Sequence, residues 1–358
     1  MGSPSTVVAA ALQRLVAVVV VLVLVVTHVH AIAGAAGPQA RSDPAPAESA
    51  MDRSTEDRVL ALDPANISPA DVRDVLSHAP APRIILLNGS VAPITMEPFA
   101  AYLIAMGYPE SRLKDPRDGS LSQTSFADSG ELAGTLAWYY ETEGMMPMLI
   151  GHSQGGMVAI KVLHELAGAF RSAIQVRNPL TGQSEQRTTL VDPLTGQERP
   201  VIGLKLPYVA ALATGKLPRF LLGQWQMLDK LRAIPDTVEE FTGFSIDWDL
   251  IAGTLPGSES YRAVGTARVR NVELAAETSH IRMPRTRHLA QNPVTRAWID
   301  GYDPASPPAA LPQGPGVDAS NIVHAADIWY SVKKHWCLGA QRLIGARRAA
   351  TTQKGGGG

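Results

Sequence analysis

The chain is poor in cysteine, in net charge and in long apolar runs, and each shortage excludes something. Cys337 is the single cysteine of 358 residues, so neither an internal disulfide framework nor a four-cysteine zinc site can form. The 32 lysines and arginines are balanced by 33 aspartates and glutamates, a formal net charge of −1. That balance gives no electrostatic reason to expect nucleic acid as a partner. No group of His, Asp and Glu has metal-ligand spacing, so no metal or other cofactor is expected. What is abundant is apolar material, 45% against 18% charged. It suffices for a packed core and is incompatible with a disordered or collagen-like chain. The length accommodates one large α/β domain or two smaller ones.

The uninterrupted apolar run at residues 15–26 has twelve members. At 1.5 Å per residue it reaches about 18 Å, short of a hydrocarbon core of roughly 30 Å. Arg14 before it and Ala31-Ile32-Ala33 after it complete the three parts of a secretory signal peptide, expected over residues 1–33. An uncleaved membrane anchor would need residues 7–12 recruited across Gln13 and Arg14. No cysteine follows the run, which excludes a bacterial-type lipid anchor. The expected destination is therefore secreted or periplasmic. Residues 34–57, rich in Ala, Pro, Ser and mixed charge, are expected as a flexible linker ahead of a domain over 58–304. Ser68-Pro69 supplies an N-cap and a first helical residue.

Within that domain, strand and helix alternate. Arg83-Ile84-Ile85-Leu86-Leu87 and residues 145–150 are short apolar runs bounded by turn residues and are expected as buried strands. Helical spacing over 98–106, 128–143 and 157–170 separates and follows them, the arrangement of a mostly parallel α/β sheet. The second strand runs into Gly151-His152-Ser153-Gln154-Gly155-Gly156, and Gly-x-Ser-x-Gly between a strand and a helix is a nucleophile elbow. A serine on so sharp a turn leaves room only for glycine two residues away on each side. The turn projects the hydroxyl above the sheet and leaves the Gln154 N–H free for an oxyanion, aided by the helix dipole.

With that motif in that context, residues 83–302 resemble the α/β-hydrolase superfamily, in particular its secreted serine lipases and esterases. The resemblance implies an α/β-hydrolase fold with a mostly parallel central sheet, helices on both faces and a small lid or cap insertion. It makes Leu86-Leu87-Asn88-Gly89-Ser90 the strand-and-oxyanion segment, with the Ser90 N–H as second donor, and Asn88 standing where those lipases carry histidine. It also implies the chain order serine, acid, base. After a strand over 241–246 comes Asp247-Trp248-Asp249, where Asp249 is favoured over Asp247 as acid. After a last strand over 269–275 comes His280, favoured as base over His288 and His324. The imidazole is needed to take the serine proton, and the carboxylate to hold its tautomer.

Two further segments are informative. Asn178-Pro-Leu-Thr-Gly-Gln183 recurs as Asp192-Pro-Leu-Thr-Gly-Gln197, which predicts two β-turns with short flanking strands in an insertion over 178–199. Residues 201–206 are expected as the next core strand, and 206–231, carrying Tyr208, Phe220, Trp225 and Met227, as a lid over the serine. Residues 305–320 are expected as a Pro/Gly-rich loop, 321–347 as a C-terminal helix and 348–358 as a disordered tail. The function implied is cleavage of a small-molecule or lipid carboxylic ester, with contact at a lipid interface. Acyl transfer and thioester cleavage use the same triad, and a non-catalytic binding protein on this fold is the rival from another class.

Overall fold

A computed structural model of the chain describes residues 51–91, 93–215, 224–253, 259–306 and 309–355. The expected signal peptide lies outside the described residues, as do positions 34–50 of the linker, 216–223 of the lid segment and 356–358 of the tail. In chain order the elements are α1 (Arg53–Leu60), α2 (Pro69–Asp74), β1 (Ile84–Leu87), α3 (Glu97–Met106), α4 (Ser129–Glu143), β2 (Met148–His152) and α5 (Gln154–Leu166). Then come the short strands β3 (Arg177–Asn178), β4 (Gln183–Ser184), β5 (Thr189–Val191) and β6 (Glu198–Pro200). They are followed by β7 (Leu206–Leu212), β8 (Ala233–Pro235), β9 (Val238–Ile246), β10 (Arg262–Val264) and β11 (Arg268–Leu274). The helices α6 (Arg287–Gln291), α7 (Pro293–Asp300) and α8 (Ile322–Gly355) complete the order.

Five strands form the central sheet in the order β1-β2-β7-β9-β11, and every pairing is parallel. All residues of β1, β2 and β7 are buried, as strands covered on both faces must be. Alternation divides their side chains between two apolar layers. Ile84, Leu86, Tyr208 and Ala210 face Phe99 and Tyr102 of α3 and Trp329 and Trp336 of α8. Ile85, Leu87, Val209 and Ala211 face Leu132 and Leu136 of α4 and Ile160 and Leu163 of α5. The architecture is thus α/β, a parallel sheet between helices on both faces.

Register brings the functional loops to one edge. Leu87 lies opposite Gly151, Gly151 opposite Ala211, Leu212 opposite Phe244, and Ile246 opposite Leu274. Because all five strands point the same way, Asn88, Ser153, Asp247 and Ala275 all leave the sheet at its carboxyl edge. Gln123 pairs with the free side of β1, its N–H on Leu86 O at 2.7 Å, before the chain crosses back to β2. The carboxyl ends of β1 and β2 therefore flank a topological switch point, where open α/β sheets bind ligands.

The structure corrects several boundaries. Positions 53–57 of the expected linker belong to α1, which Asp52 caps by accepting from Thr55 N at 3.0 Å. Positions 348–355 of the expected tail continue α8, and Arg348 reaches Glu56 at 2.7 Å and Asp57 at 2.8 Å. Both errors share a cause, because each end is ordered by a partner almost three hundred residues away. The core strand expected over 201–206 begins instead at Leu206, and residues 206–212 are the middle strand of the sheet, which removes them from any lid. Met227 and Leu231 are buried in the α4–α5 layer, so they too are core. The duplicated turn motifs form the antiparallel hairpins β3–β4 and β5–β6.

Helix α8 is fastened to the sheet by ion pairs. Arg270 of β11 meets both carboxylate oxygens of Asp327, at 2.6 and 2.8 Å, and Lys334 donates to Glu240 of β9 at 2.6 Å. Burial opposes the charge on Glu240, yet hydrogen bonds from His335 and Lys334 hold its carboxyl well below the usual range.

Candidate active site

The elbow is built from sterics. Ser153 sits at φ 53° and ψ −115°, a backbone conformation that costs an L-residue on the order of 1–3 kcal/mol and persists only where the surroundings impose it. Here they do. The Ser153 N–H is held by Leu212 O at 2.7 Å, and its carbonyl accepts from Thr214 Oγ1 at 3.0 Å. A Cβ on Gly151 would overlap the Gly155 carbonyl, and one on Gly155 would overlap Leu87 O and lie 2.7 Å from Asn88 O. The strand and the helix can approach this closely only because both positions are glycine.

The aspartate and the histidine expected as acid and base meet across 31 residues. His280 Nδ1 lies 2.6 Å from Asp249 Oδ2, and both side chains are buried. A carboxylate can only accept, so Nδ1 carries the proton and Nε2 keeps its lone pair. The other carboxylate oxygen accepts from Ile251 N at 3.1 Å and Ala252 N at 3.0 Å, which fixes the carboxyl plane. Trp248 adopts φ 60°, and that left-handed step leaves Trp248 exposed while Asp249 is buried. Asp247 is instead turned to Glu273, whose carboxyl is raised by that hydrogen bond and by the neighbouring charge.

The two other histidine candidates are placed elsewhere. His288, on α6, lies 3.6 Å from Asp318. His324 is fully buried between Phe99 and Phe244 and donates from Nε2 to Met283 O at 3.0 Å. It supports the turn that carries His280. Asn321 assists it, with Nδ2 2.9 Å from Arg282 O and 3.1 Å from Arg285 O. Sequence reasoning considered His324 only as a rival base; no local signal could have shown its supporting place, since these bonds span 36 to 41 residues.

The two N–H groups expected to receive an oxyanion follow the carboxyl ends of β1 and β2. The backbone N–H groups of Ser90 and Gln154 form no hydrogen bond among the described residues, and both residues are buried. Asn88 has a structural task. Its N–H bonds Gln123 O at 2.9 Å, and its Oδ1 accepts from Met96 N at 2.7 Å, which closes the loop around Gly89 and Ser90. Ser153 Oγ forms no hydrogen bond among the described residues; in unliganded sites such bonds are often long and tighten only with substrate. No three His, Cys, Asp or Glu side chains gather as a metal site among the described residues, and none of their helices is long and apolar enough to cross a membrane. Chemically, the arrangement offers a hydroxyl in a strained turn, an imidazole with a fixed tautomer and two unoccupied amide donors.

Comparison with known proteins found no matching family model, no matching curated protein and no matching solved structure.

Two buried histidines make the fold acid-sensitive. Burial and the His280 charge push His152 down to about 3, and burial pushes His324 down to about 4. The folded chain keeps both neutral, while the unfolded chain protonates them below about pH 6.5, so stability falls as pH drops through that window. At pH 5 each costs about 2 kcal/mol by this linkage. Urea unfolding at pH 7 and pH 5 measures it. His324→Gln keeps a donor for Met283 O without titrating, and should lose about 2 kcal/mol less than wild type between the two conditions. Equal losses would remove the explanation.

Proposed function

We propose that this protein is a serine hydrolase of the α/β-hydrolase type, exported by its N-terminal segment, that cleaves carboxylic esters through an acyl-enzyme. Ser153 Oγ attacks the ester carbonyl while His280 Nε2 takes its proton, and Asp249 stabilises the imidazolium. The N–H groups of Gln154 and Ser90 receive the oxyanion, each worth about 3–4 kcal/mol in the transition state. Collapse expels the alcohol, protonated by His280. Water activated by the same imidazole then releases the acid and restores the serine.

One observation carries this reading: a 2.6 Å hydrogen bond joins a buried aspartate to a buried histidine, and the carbonyl of that histidine is bonded by His152, the residue before a strained, glycine-walled serine. The aspartate–histidine bond has no evident structural use that a packed apolar pair would not serve better.

The test is turnover of p-nitrophenyl esters from acetate to palmitate by the full chain, with covalent labelling by a fluorophosphonate. Asp249→Asn should lower kcat by about 10⁴, because the amide keeps the Ile251 and Ala252 bonds but turns a donor toward Nδ1 and imposes the wrong tautomer. His288→Ala should stay within about twofold of wild type. A wild-type chain that neither turns over nor is labelled ends the proposal.

A further inference from the structure

His152 precedes the nucleophile and belongs to no part of the mechanism above, yet it touches three parts of the site. As the last residue of β2 it is covalently joined to Ser153. Its Nε2 lies 2.9 Å from the main-chain carbonyl of His280, and the two rings are 5.0 Å apart, tilted by 56°. A carbonyl only accepts, so Nε2 carries the proton and Nδ1 holds a lone pair. That Nδ1 is buried without a hydrogen-bond partner and faces the oxyanion loop, since a Cβ on Gly89 would stand 3.1 Å from it. Gly89 is thus the residue that lets the loop carrying Ser90 lie against this imidazole.

We infer that His152 is a positioning residue for the base: its Nε2–H clamps the His280 carbonyl and so sets the height at which His280 Nδ1 meets Asp249. This rests on the hydrolase reading for its catalytic consequence, though not for its geometry. The physical need is plain. His280 lies on a short 3₁₀ turn, His280–Arg282, and the Asp249 bond alone would let the ring pivot about its own Cα. A second bond, to the main-chain carbonyl of the same residue, fixes the backbone from which the ring hangs. The groups facing His152 are the His280 imidazole, the His280 carbonyl and the Gly89 backbone, and burial together with a protonated His280 opposes its protonation. The clamp therefore stays neutral while His280 gains a proton during turnover.

The experiment compares His152→Phe, His152→Gln and His152→Asn in the full chain. Phenylalanine keeps the ring and loses the donor. Glutamine ends in an N–H at the reach of Nε2, whereas asparagine stops at that of Nδ1. The clamp predicts that Phe and Asn lower kcat ten- to a hundredfold with KM within about twofold, as about 1 Å of misplacement does, and that Gln recovers most of the loss. Plain packing predicts the opposite order, with Phe the best replacement. The downfield proton resonance of the His280–Asp249 bond gives a readout independent of turnover: retained in Gln, exchange-broadened in Phe and Asn. Full activity in His152→Phe, or Gln no better than Asn, overturns the inference. An unlabelled wild-type chain that keeps the resonance pattern would instead sink only the hydrolase reading. Unfolding temperatures identify any variant that fails to fold, and the Gln–Asn pair, both polar and smaller than histidine, still decides the matter if Phe does not fold.

Discussion

Ser153→Ala should abolish fluorophosphonate labelling and lower ester turnover by about 10⁵–10⁶, some 7–8 kcal/mol of transition-state stabilisation. The fold should survive, because alanine keeps the Cβ and the strained φ of 53° costs it about what it costs serine. Ser153→Gly separates the two roles of the position. It removes the hydroxyl and also relieves the strain, so it should be as inactive as alanine and about 1 kcal/mol more stable. Mass spectrometry of labelled protein and urea unfolding of the three chains check both statements. Label persisting in the alanine variant would place the nucleophile elsewhere.

Gly155→Ala should be severely damaging for a single added methyl. Its Cβ would overlap Leu87 O and lie 2.6 Å from Leu87 C and 2.7 Å from Asn88 O, all backbone atoms with no rotamer to escape by. Either α5 lifts from β1 or the end of β1 is displaced, and overpacking of that kind costs about 3 kcal/mol. Either movement also separates the Gln154 and Ser90 N–H groups, so kcat should fall by about 10²–10³, the loss of one oxyanion donor. Gly196→Ala is the matched control. Its φ of 71° strains an alanine, but nothing lies within 4 Å of the added carbon, in a hairpin turn away from the sheet edge. It should cost about 1 kcal/mol and leave kcat unchanged. Similar kcat losses in both variants would mean that the close approach at Gly155 has no part in the site.

The difference between those two glycines marks how far the sequence is legible. Gly151, Ser153 and Gly155 announce themselves because the pattern that marks them spans only five residues, although the atoms that crowd Gly155 are Leu87 O and Asn88 O. The strand before and the helix after are equally local, as are the duplicated hairpin turns. Asp249 and His280 could be ranked above Asp247 and His288 only through chain order and the resemblance to secreted lipases. Their hydrogen bond depends on β9 and β11 pairing side by side and on the left-handed step at Trp248 that leaves Asp249, two residues beyond Asp247, buried. Residues 206–212 read as part of a lid yet form a strand, because an apolar stretch long enough to cover a site is also long enough to fill the middle of a sheet. Their composition is the same in either role.

The sequence by itself determined the α/β alternation, the elbow and the absence of a disulfide framework, all of which follow from steric and apolar patterns over a few residues. Only the tertiary structure decided what holds the site. His152 fastened to the His280 carbonyl, His324 and Asn321 beneath the same turn, and α8 bonded to β9 and β11 are contacts between distant segments. Their chemistry is ordinary at each position taken alone. The parallel sheet brings its strand ends to one edge, and that proximity turns three unremarkable polar side chains into the supports of one imidazole.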